Sequence, residues 1–114
     1  MKRGEIWTLQ DKDYASKARP VVIVQADIEE QFDSIILCLF TTYESGNVST
    51  RVKIEPSARN GLEKISYVMS EKIITVEKNM LGRHIGNLSD QEMHLISGKL
   101  AKVLEIHKSD IEEQ

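Results

Sequence analysis

The sequence predicts a small protein of the α+β class, mainly β, in which a curved antiparallel sheet or partly open barrel packs against one C-terminal helix. Short apolar runs separated by polar turns recur from residue 6 to residue 85, which is typical of short strands. Helical spacing of apolar residues replaces this pattern after residue 89. With 114 residues, the chain has the length of one domain, residues 1–114, and can bury a core without disulfides or a structural metal.

The predicted strands follow from apolar runs and from alternation of polar and apolar residues. Pro20 starts one strand well, because the first residue of a strand can lack an N–H group without losing a ladder hydrogen bond. Residues 48–55 alternate regularly, which predicts a half-exposed antiparallel strand. We expect strands at residues 6–9, 20–24, 34–40, 48–55, 62–69 and 73–76, a helical turn at 78–81, and an extended segment at 82–86.

A C-terminal helix is predicted to begin at Ser89. Ser89 and Glu92 have the spacing of a capping box, in which each side chain satisfies a backbone N–H of the other residue. An apolar stripe at helical spacing follows and predicts about five turns packed on the sheet. The stripe consists of Met93, Ile96, Leu100, Val103, Leu104 and His107.

Composition narrows the classes of function. The net charge is −3, but residues 1–88 contain equal numbers of basic and acidic residues, so a local basic face can form there. Cys38 is the only cysteine and is expected to be buried. No apolar run has the length of a membrane span, and we expect a cytoplasmic protein. The sequence has no metal-ligand spacing and no glycine-rich phosphate loop, so neither a metal nor a cofactor is predicted.

Two residues at strand ends are the main candidates for chemistry. Arg19 precedes one buried strand and Thr41 follows the next. If these strands are antiparallel neighbours, the start of one lies beside the end of the other, and the two side chains meet at one rim. Neither is a good base at neutral pH. Such a pair suits phosphoryl chemistry in which the substrate supplies the nucleophile, such as an RNA 2′-hydroxyl, and the protein positions groups and stabilises charge.

Several motifs resemble the MazF/PemK family of toxin–antitoxin ribonucleases and occur in the same order as in that family. They are Arg3-Gly4-Glu5-Ile6-Trp7, Arg19-Pro20-Val21-Val22-Ile23-Val24, Phe40-Thr41-Thr42, Gly61-Leu62 with Ser66-Tyr67-Val68, and residues 73–81 ahead of a terminal helix. This resemblance implies a curved antiparallel sheet of the SH3-like barrel kind, a homodimer, and an antitoxin whose extended tail covers the RNA groove. It also implies metal-independent cleavage of single-stranded RNA at a short preferred sequence, leaving a 2′,3′-cyclic phosphate and a 5′-hydroxyl.

The resemblance also assigns site residues. Arg19 corresponds to the family's catalytic arginine, to which proton transfer and phosphate stabilisation are assigned. Thr41 corresponds to the threonine that holds the phosphate, with Thr42 as the alternative. Apart from the resemblance, the possible basic face in the first part of the chain adds Lys17, Arg51 and Lys53 as candidates for catalysis or RNA binding.

The chain departs from the family pattern at several positions. The loop between the first two strands is shorter than is common and has Ala15-Ser16-Lys17 where many members have Ser-Glu-Gln. Lys72, Ile74 and Met80 replace polar or cationic residues that are frequent in the family. These changes leave open an inactive module that binds RNA or antitoxin. A gyrase inhibitor of the CcdB kind, on the same fold, is the other alternative, although the acidic C-terminus and the position of Trp7 count against it.

Overall fold

Six antiparallel strands form one sheet in the computed structural model, which describes residues 1–10, 18–28, 31–44 and 46–112. The strands are β1 (Glu5–Leu9), β2 (Arg19–Ile23), β3 (Ser34–Thr41), β4 (Arg51–Ile54), β5 (Ser66–Glu77) and β6 (Leu81–Asn87). Their order across the sheet is β4-β5-β3-β2-β1-β6. A 3₁₀ turn (Lys78–Met80) separates β5 from β6, and helices α1 (Asp90–Val103) and α2 (Lys108–Ile111) follow. The predicted antiparallel sheet with a C-terminal helix is therefore confirmed.

Each face of the sheet carries its own apolar cluster, because successive side chains of a strand point to opposite faces. On one face, even-numbered residues of β1 to β4 pack against α1; we call this the helix-side face. Its buried members include Ile6, Val22, Cys38, Val52, Ile54, Met93 and Ile96. The other face, which we call the odd face, has a second buried cluster that comprises Val21, Ile23, Ile35, Leu37 and Leu81. Burial on both faces fixes the register of the central strands.

Arg3 connects the end of β2 to α1. Its guanidinium donates to the carbonyl oxygen of Val24 and, at 2.5 Å, to Ser97 Oγ. Its backbone N–H donates to Asp27 Oδ1 at 3.1 Å. These bonds join the chain's first residues, the segment after β2 and the helix.

Two strand predictions were wrong in extent. The alternating segment 48–55 forms a strand only from Arg51 to Ile54, since Val48 is exposed and its carbonyl accepts from the Arg51 N–H in a turn. The two strands predicted at 62–69 and 73–76 are one strand, β5. Its pairing with β3 passes from Leu39↔Met69 to Cys38↔Ile73, so three residues bulge out of the ladder without interrupting the strand.

The helix begins where the sequence predicts and ends earlier. Ser89 is the N-cap, and both hydrogen bonds of the capping box are present. Helix α1 has 14 residues, and Glu105 beyond it adopts a left-handed φ of 54°. Leu104 is exposed and His107 is the N-cap of α2, so the end of the predicted stripe does not pack on the sheet. The expected length of about five turns was therefore wrong.

Cys38 is fully buried, as predicted. Burial raises the pKa of its thiol to about 11, so the thiol is neutral at physiological pH and behaves as a small apolar side chain. Within the described ranges, none of the helices has the length and apolar character needed to cross a membrane.

Candidate functional site

Strands β2 and β3 are antiparallel neighbours, as the strand-end prediction requires. Their register pairs Val21 with Leu39, and continuing it by two residues sets Arg19 opposite Thr41. Directly opposed residues of antiparallel strands point to the same face, with Cβ atoms about 5 Å apart. Arg19 is exposed and Thr41 is half-buried. The structure thus places both main candidates side by side on the odd face.

The same row of the odd face continues across β5 to β4. Thr41 pairs with Tyr67, and Tyr67 pairs with Lys53. Arg19, Thr41, Tyr67 and Lys53 therefore lie on four neighbouring strands in one row, which we call the arginine row. With strands about 4.8 Å apart, Arg19 and Lys53 are separated by about 14 Å along the sheet.

A second row of the odd face lies two residues away along the strands. It runs through Trp7, Val21, Leu39, Met69 and Arg51, each paired with the next. We call it the tryptophan row. Residues two apart in a strand are separated by about 7 Å, so the two rows are adjacent. Arg51 and Lys53 thus share one face with Arg19 and Thr41.

Thr41 and Thr42 differ in orientation and partners. The Tyr43 N–H donates to Thr41 Oγ1 at 3.1 Å. Because that bond uses an oxygen lone pair, the Thr41 hydroxyl keeps its own proton to donate. Thr42 is exposed and lines a pocket on the other side of the sheet. The structure therefore groups Thr41, and not Thr42, with Arg19.

The pocket beside Thr42 has a volume of about 290 Å³. Its lining combines apolar side chains with two cations, Lys64 and Arg83, and one carboxylate, Glu63. Its described lining consists of Thr8, Ala18, Pro20, Thr42, Gly61, Leu62, Glu63, Lys64, Ser66, Arg83 and Ile85. Ala18 and Pro20 flank Arg19, so the pocket adjoins the arginine row at the start of β2.

Arg51 is held by an ion pair. Its Nη2 and Nε lie 2.9 Å and 3.2 Å from Glu71 Oε2, and Thr50 Oγ1 donates to Glu71 Oε1 at 2.7 Å. Burial raises the pKa of Glu71, but hydrogen bonds from Thr50 and Arg51 and the charge of Arg51 outweigh it, so the pKa is lowered overall. The carboxylate stays ionised and offsets the charge of Arg51. Lys53 is exposed beside this pair.

Of the other positions that the sequence analysis singled out, some lie within the described residues and some do not. Lys17 lies outside the described residues, as does the segment Ala15-Ser16-Lys17. Ile74 packs against the buried cluster of the odd face, Lys72 is exposed, and Met80 is half-buried in the 3₁₀ turn. Among the described residues, no three His, Cys, Asp or Glu side chains are grouped closely enough to bind one metal ion.

His84 stacks on Trp7, a contact that the sequence did not predict. The ring centroids are 5.3 Å apart and the planes differ by 13°. The Trp7 indole packs against the buried cluster of the odd face while remaining half-buried. The stack could not be predicted from the spacing of residues in the sequence, because a register shift between β1 and β6 sets His84 opposite Trp7.

Comparisons with known proteins agree on one family. Residues 2–104 match the family model for the PemK-like, MazF-like toxin of type II toxin–antitoxin systems. The chain is 34% identical over 94 residues to a probable endoribonuclease MazF of Mycolicibacterium smegmatis, covering 82% of this chain and 86% of the relative. It is 30% identical over 106 residues to endoribonuclease EndoA of Bacillus subtilis, covering 88% and 90%.

Solved structures agree with the sequence comparisons. An endoribonuclease in complex with its cognate antitoxin, from a mycobacterial species, superposes with a TM-score of 0.77 at 25% identity. That comparison covers 94% of this chain and 97% of the other.

Proposed function

The chain belongs to the PemK-like, MazF-like toxin family of type II toxin–antitoxin systems, and from this premise we propose that it is a sequence-selective endoribonuclease that cleaves single-stranded RNA without a metal ion. The activity class follows from the relatives, which are named endoribonucleases. The observation that supports the chemistry is the position of Arg19, at the start of β2, beside Thr41, at the end of β3.

The proposed reaction uses a nucleophile that the substrate already has. The 2′-hydroxyl oxygen attacks the adjacent phosphorus, the bond from phosphorus to the 5′-oxygen breaks, and a 2′,3′-cyclic phosphate forms. The proton of the 2′-hydroxyl passes to solvent water, and the departing 5′-oxygen gains a proton relayed from water through the Arg19 guanidinium. Negative charge builds up on the phosphoryl oxygens in the transition state, and donors already aimed at that position lower the barrier.

In this scheme Arg19 and Thr41 have different roles. The planar guanidinium of Arg19 can donate two hydrogen bonds to phosphoryl oxygens and stabilise their growing charge. We assign the proton transfer to the 5′-oxygen to the same guanidinium. Thr41 holds the phosphate by donating its hydroxyl proton, because phosphoryl oxygens can only accept, and the Tyr43 N–H that donates to Thr41 Oγ1 orients that hydroxyl. Lys53, in the same row, attracts the RNA backbone without touching the scissile phosphate.

The partners of the proposed activity are a second copy of the chain and an antitoxin. A related endoribonuclease was solved in complex with its cognate antitoxin. We propose that an extended antitoxin segment covers the odd face and blocks RNA from Arg19. We also propose that the toxin acts as a homodimer in the cytoplasm, as a single domain spanning residues 1–114.

The function is tested by cleavage of a long single-stranded RNA by the wild-type protein and by Arg19→Ala. We expect Arg19→Ala to lower the cleavage rate at least about 100-fold, because one charge-stabilising donor contributes about that much to a rate. Arg59→Ala is the matched control, since Arg59 is exposed on the turn 58–60, away from the arginine row. Cleavage by Arg19→Ala at the wild-type rate would disprove the proposed mechanism. Binding of RNA by the wild type without any cleavage would identify an inactive binding module.

A further inference from the structure

The Trp7 and His84 rings form an ordered aromatic platform on the odd face. The Trp7 Nε1–H donates to Glu5 Oε1 at 2.9 Å, which fixes the indole in its plane. His84 Nε2 lies 3.0 Å from the Gly86 carbonyl oxygen and 3.0 Å from Asn87 Oδ1. Because a carbonyl oxygen can only accept, Nε2 carries the hydrogen, and the imidazole plane is fixed as well. Neither ring must lose much rotational freedom to bind a ligand.

The platform is open on its outer side. Trp7 is half-buried and packs inward against the cluster of the odd face, whereas His84 is exposed. One face of the imidazole covers the indole, and its other face is therefore available for stacking. Aromatic rings stack on one another with centroid separations of about 4.5 to 7 Å, so the 5.3 Å pair can be extended by a third ring.

The platform is next to the proposed catalytic residues. Trp7 lies in the tryptophan row on β1, and Arg19 lies in the arginine row on the adjacent strand. Diagonal neighbours of this kind are about 7 to 8 Å apart across the same face. One bound RNA strand can thus touch His84 while its phosphate lies at Arg19.

Local charge favours a base over a phosphate at this platform. Burial raises the pKa of Glu5, but the hydrogen bonds from Trp7 and the Lys2 backbone and the electrostatic effects of His84 and the N-terminal amine outweigh it, so the pKa is lowered overall and the carboxylate stays ionised. The Glu5 carboxylate, which accepts from the Trp7 Nε1–H at 2.9 Å, repels a phosphate brought to the Trp7 side of the platform. A flat, uncharged nucleobase meets no such penalty and gains stacking energy.

We propose that the outer face of the His84 imidazole, supported by Trp7, is a stacking subsite for a nucleobase of the RNA strand that flanks the scissile phosphate. This inference rests on the proposed ribonuclease function and adds a binding residue to the same substrate face. His84 binds substrate in this scheme and takes no part in proton transfer. Stacking accepts any base, so the subsite contributes affinity more than sequence choice.

The test uses single-stranded 2′-O-methyl RNA of mixed sequence, which lacks the nucleophile and therefore binds without being cut. Trp7 is the only tryptophan, so its fluorescence reports events at the platform, and fluorescence anisotropy of labelled RNA gives the dissociation constant. The variants are His84→Ala, which removes the ring, and His84→Phe, which retains a stacking surface. His94→Ala is the control, because His94 is exposed on α1, which packs on the helix-side face.

We expect RNA to quench Trp7 fluorescence and His84→Ala to weaken binding by about 5-fold to about 100-fold, the range for losing one stacked base. His84→Phe and His94→Ala should bind within about 2-fold of the wild type. Equal affinity of His84→Ala and the wild type would overturn the inference, and so would a His84→Phe variant as weak as His84→Ala. If the wild-type protein binds and cleaves RNA in either of those cases, the proposed function stands while the subsite fails.

Discussion

At the scale of single residues, the adjacent threonines Thr41 and Thr42 lie on opposite faces of the sheet. Thr41 ends β3 on the odd face, beside Arg19, and Thr42 lies at the pocket on the other side. We expect Thr41→Ala to lower kcat by about 10-fold to 100-fold, the cost of about 1.4 to 2.7 kcal/mol of lost phosphate stabilisation. Thr42→Ala should change kcat less than about 2-fold. Single-turnover cleavage of both variants measures this, and the reverse ranking would reassign the site to Thr42.

Glu71 gives a prediction of pH dependence at the same scale. Its pKa is lowered in the folded protein from an ordinary value of 4.5, so its stabilising contribution is present above about pH 4.5 and is lost as the pH falls through the folded pKa. Replacing Glu71 with Gln should cost about 1 kcal/mol of the free energy of unfolding at pH 7. The difference should shrink below pH 4.5.

Urea denaturation at several pH values measures this difference, and Glu55→Gln, at an exposed carboxylate, is the control. A gap between the wild type and Glu71→Gln that stays constant down to pH 3 would contradict the assignment.

Some positions and contacts of the candidate site residues could be predicted from the sequence, and others could not. Arg19 and Thr41 were predicted from strand ends, since the geometry of antiparallel pairing is general and only the neighbouring strands had to be guessed. The partner of Arg51 could not be predicted, because Glu71 is 20 residues away and faces it only after β4 pairs with β5. The Trp7 and His84 stack was missed for the same reason, as it is created by a register shift.

At the scale of elements, local chemistry was predictable and tertiary packing was not. The start of α1 was correct because Ser89 and Glu92 bond to each other's backbone within one turn. The end of α1 was predicted wrongly because it depends on which apolar residues pack against the sheet. Leu104 is exposed and does not pack there. Strand β5 was divided wrongly, because its bulge is defined by pairing with β3 and leaves no local signal.

The turn before β5 supports the pocket and β6 and gives a second stability prediction. Gly61 has a φ of +69°, and a Cβ there would overlap the backbone carbonyl of Ile85 in β6. Gly46 has a similar φ of +67° with nothing within 4 Å of an added Cβ, so it serves as a matched control. Gly46→Ala should cost about 1 kcal/mol from backbone strain alone. Gly61→Ala should cost about 2 to 4 kcal/mol, since either the turn or β6 must move.

Thermal or urea denaturation of the two variants tests this comparison. Equal costs at Gly46 and Gly61 would indicate that the turn and β6 are not in the close contact described.

At the scale of the whole molecule, charge is unevenly distributed. The net charge is −3, yet residues 1–88 are balanced and the acidic excess lies in residues 89–114, which include both helices. The odd face carries Arg19 and Lys53 on the opposite side of the sheet from α1. A polyanion can therefore bind this face despite the overall negative charge.

The salt dependence of RNA binding tests this arrangement. Each phosphate neutralised on single-stranded RNA contributes about 0.7 to the slope of log affinity against log salt concentration. We expect Lys53→Gln to reduce the slope by about 0.7, as one contact is lost. Lys102→Gln, at an exposed lysine of α1, should leave the slope unchanged. A larger change for Lys102 than for Lys53 would place the RNA on the helix side.

The most direct test of the account is the chemistry of the RNA ends produced by the wild-type protein. Purified protein, free of antitoxin, is incubated with a long single-stranded RNA in EDTA, and the fragment ends are mapped and identified. We predict discrete cuts that leave a 2′,3′-cyclic phosphate and a 5′-hydroxyl, because the 2′-hydroxyl is the nucleophile and Arg19 with Thr41 stabilises the phosphate. Fragments with a 5′-phosphate and a 3′-hydroxyl, or cleavage that stops in EDTA, would contradict it.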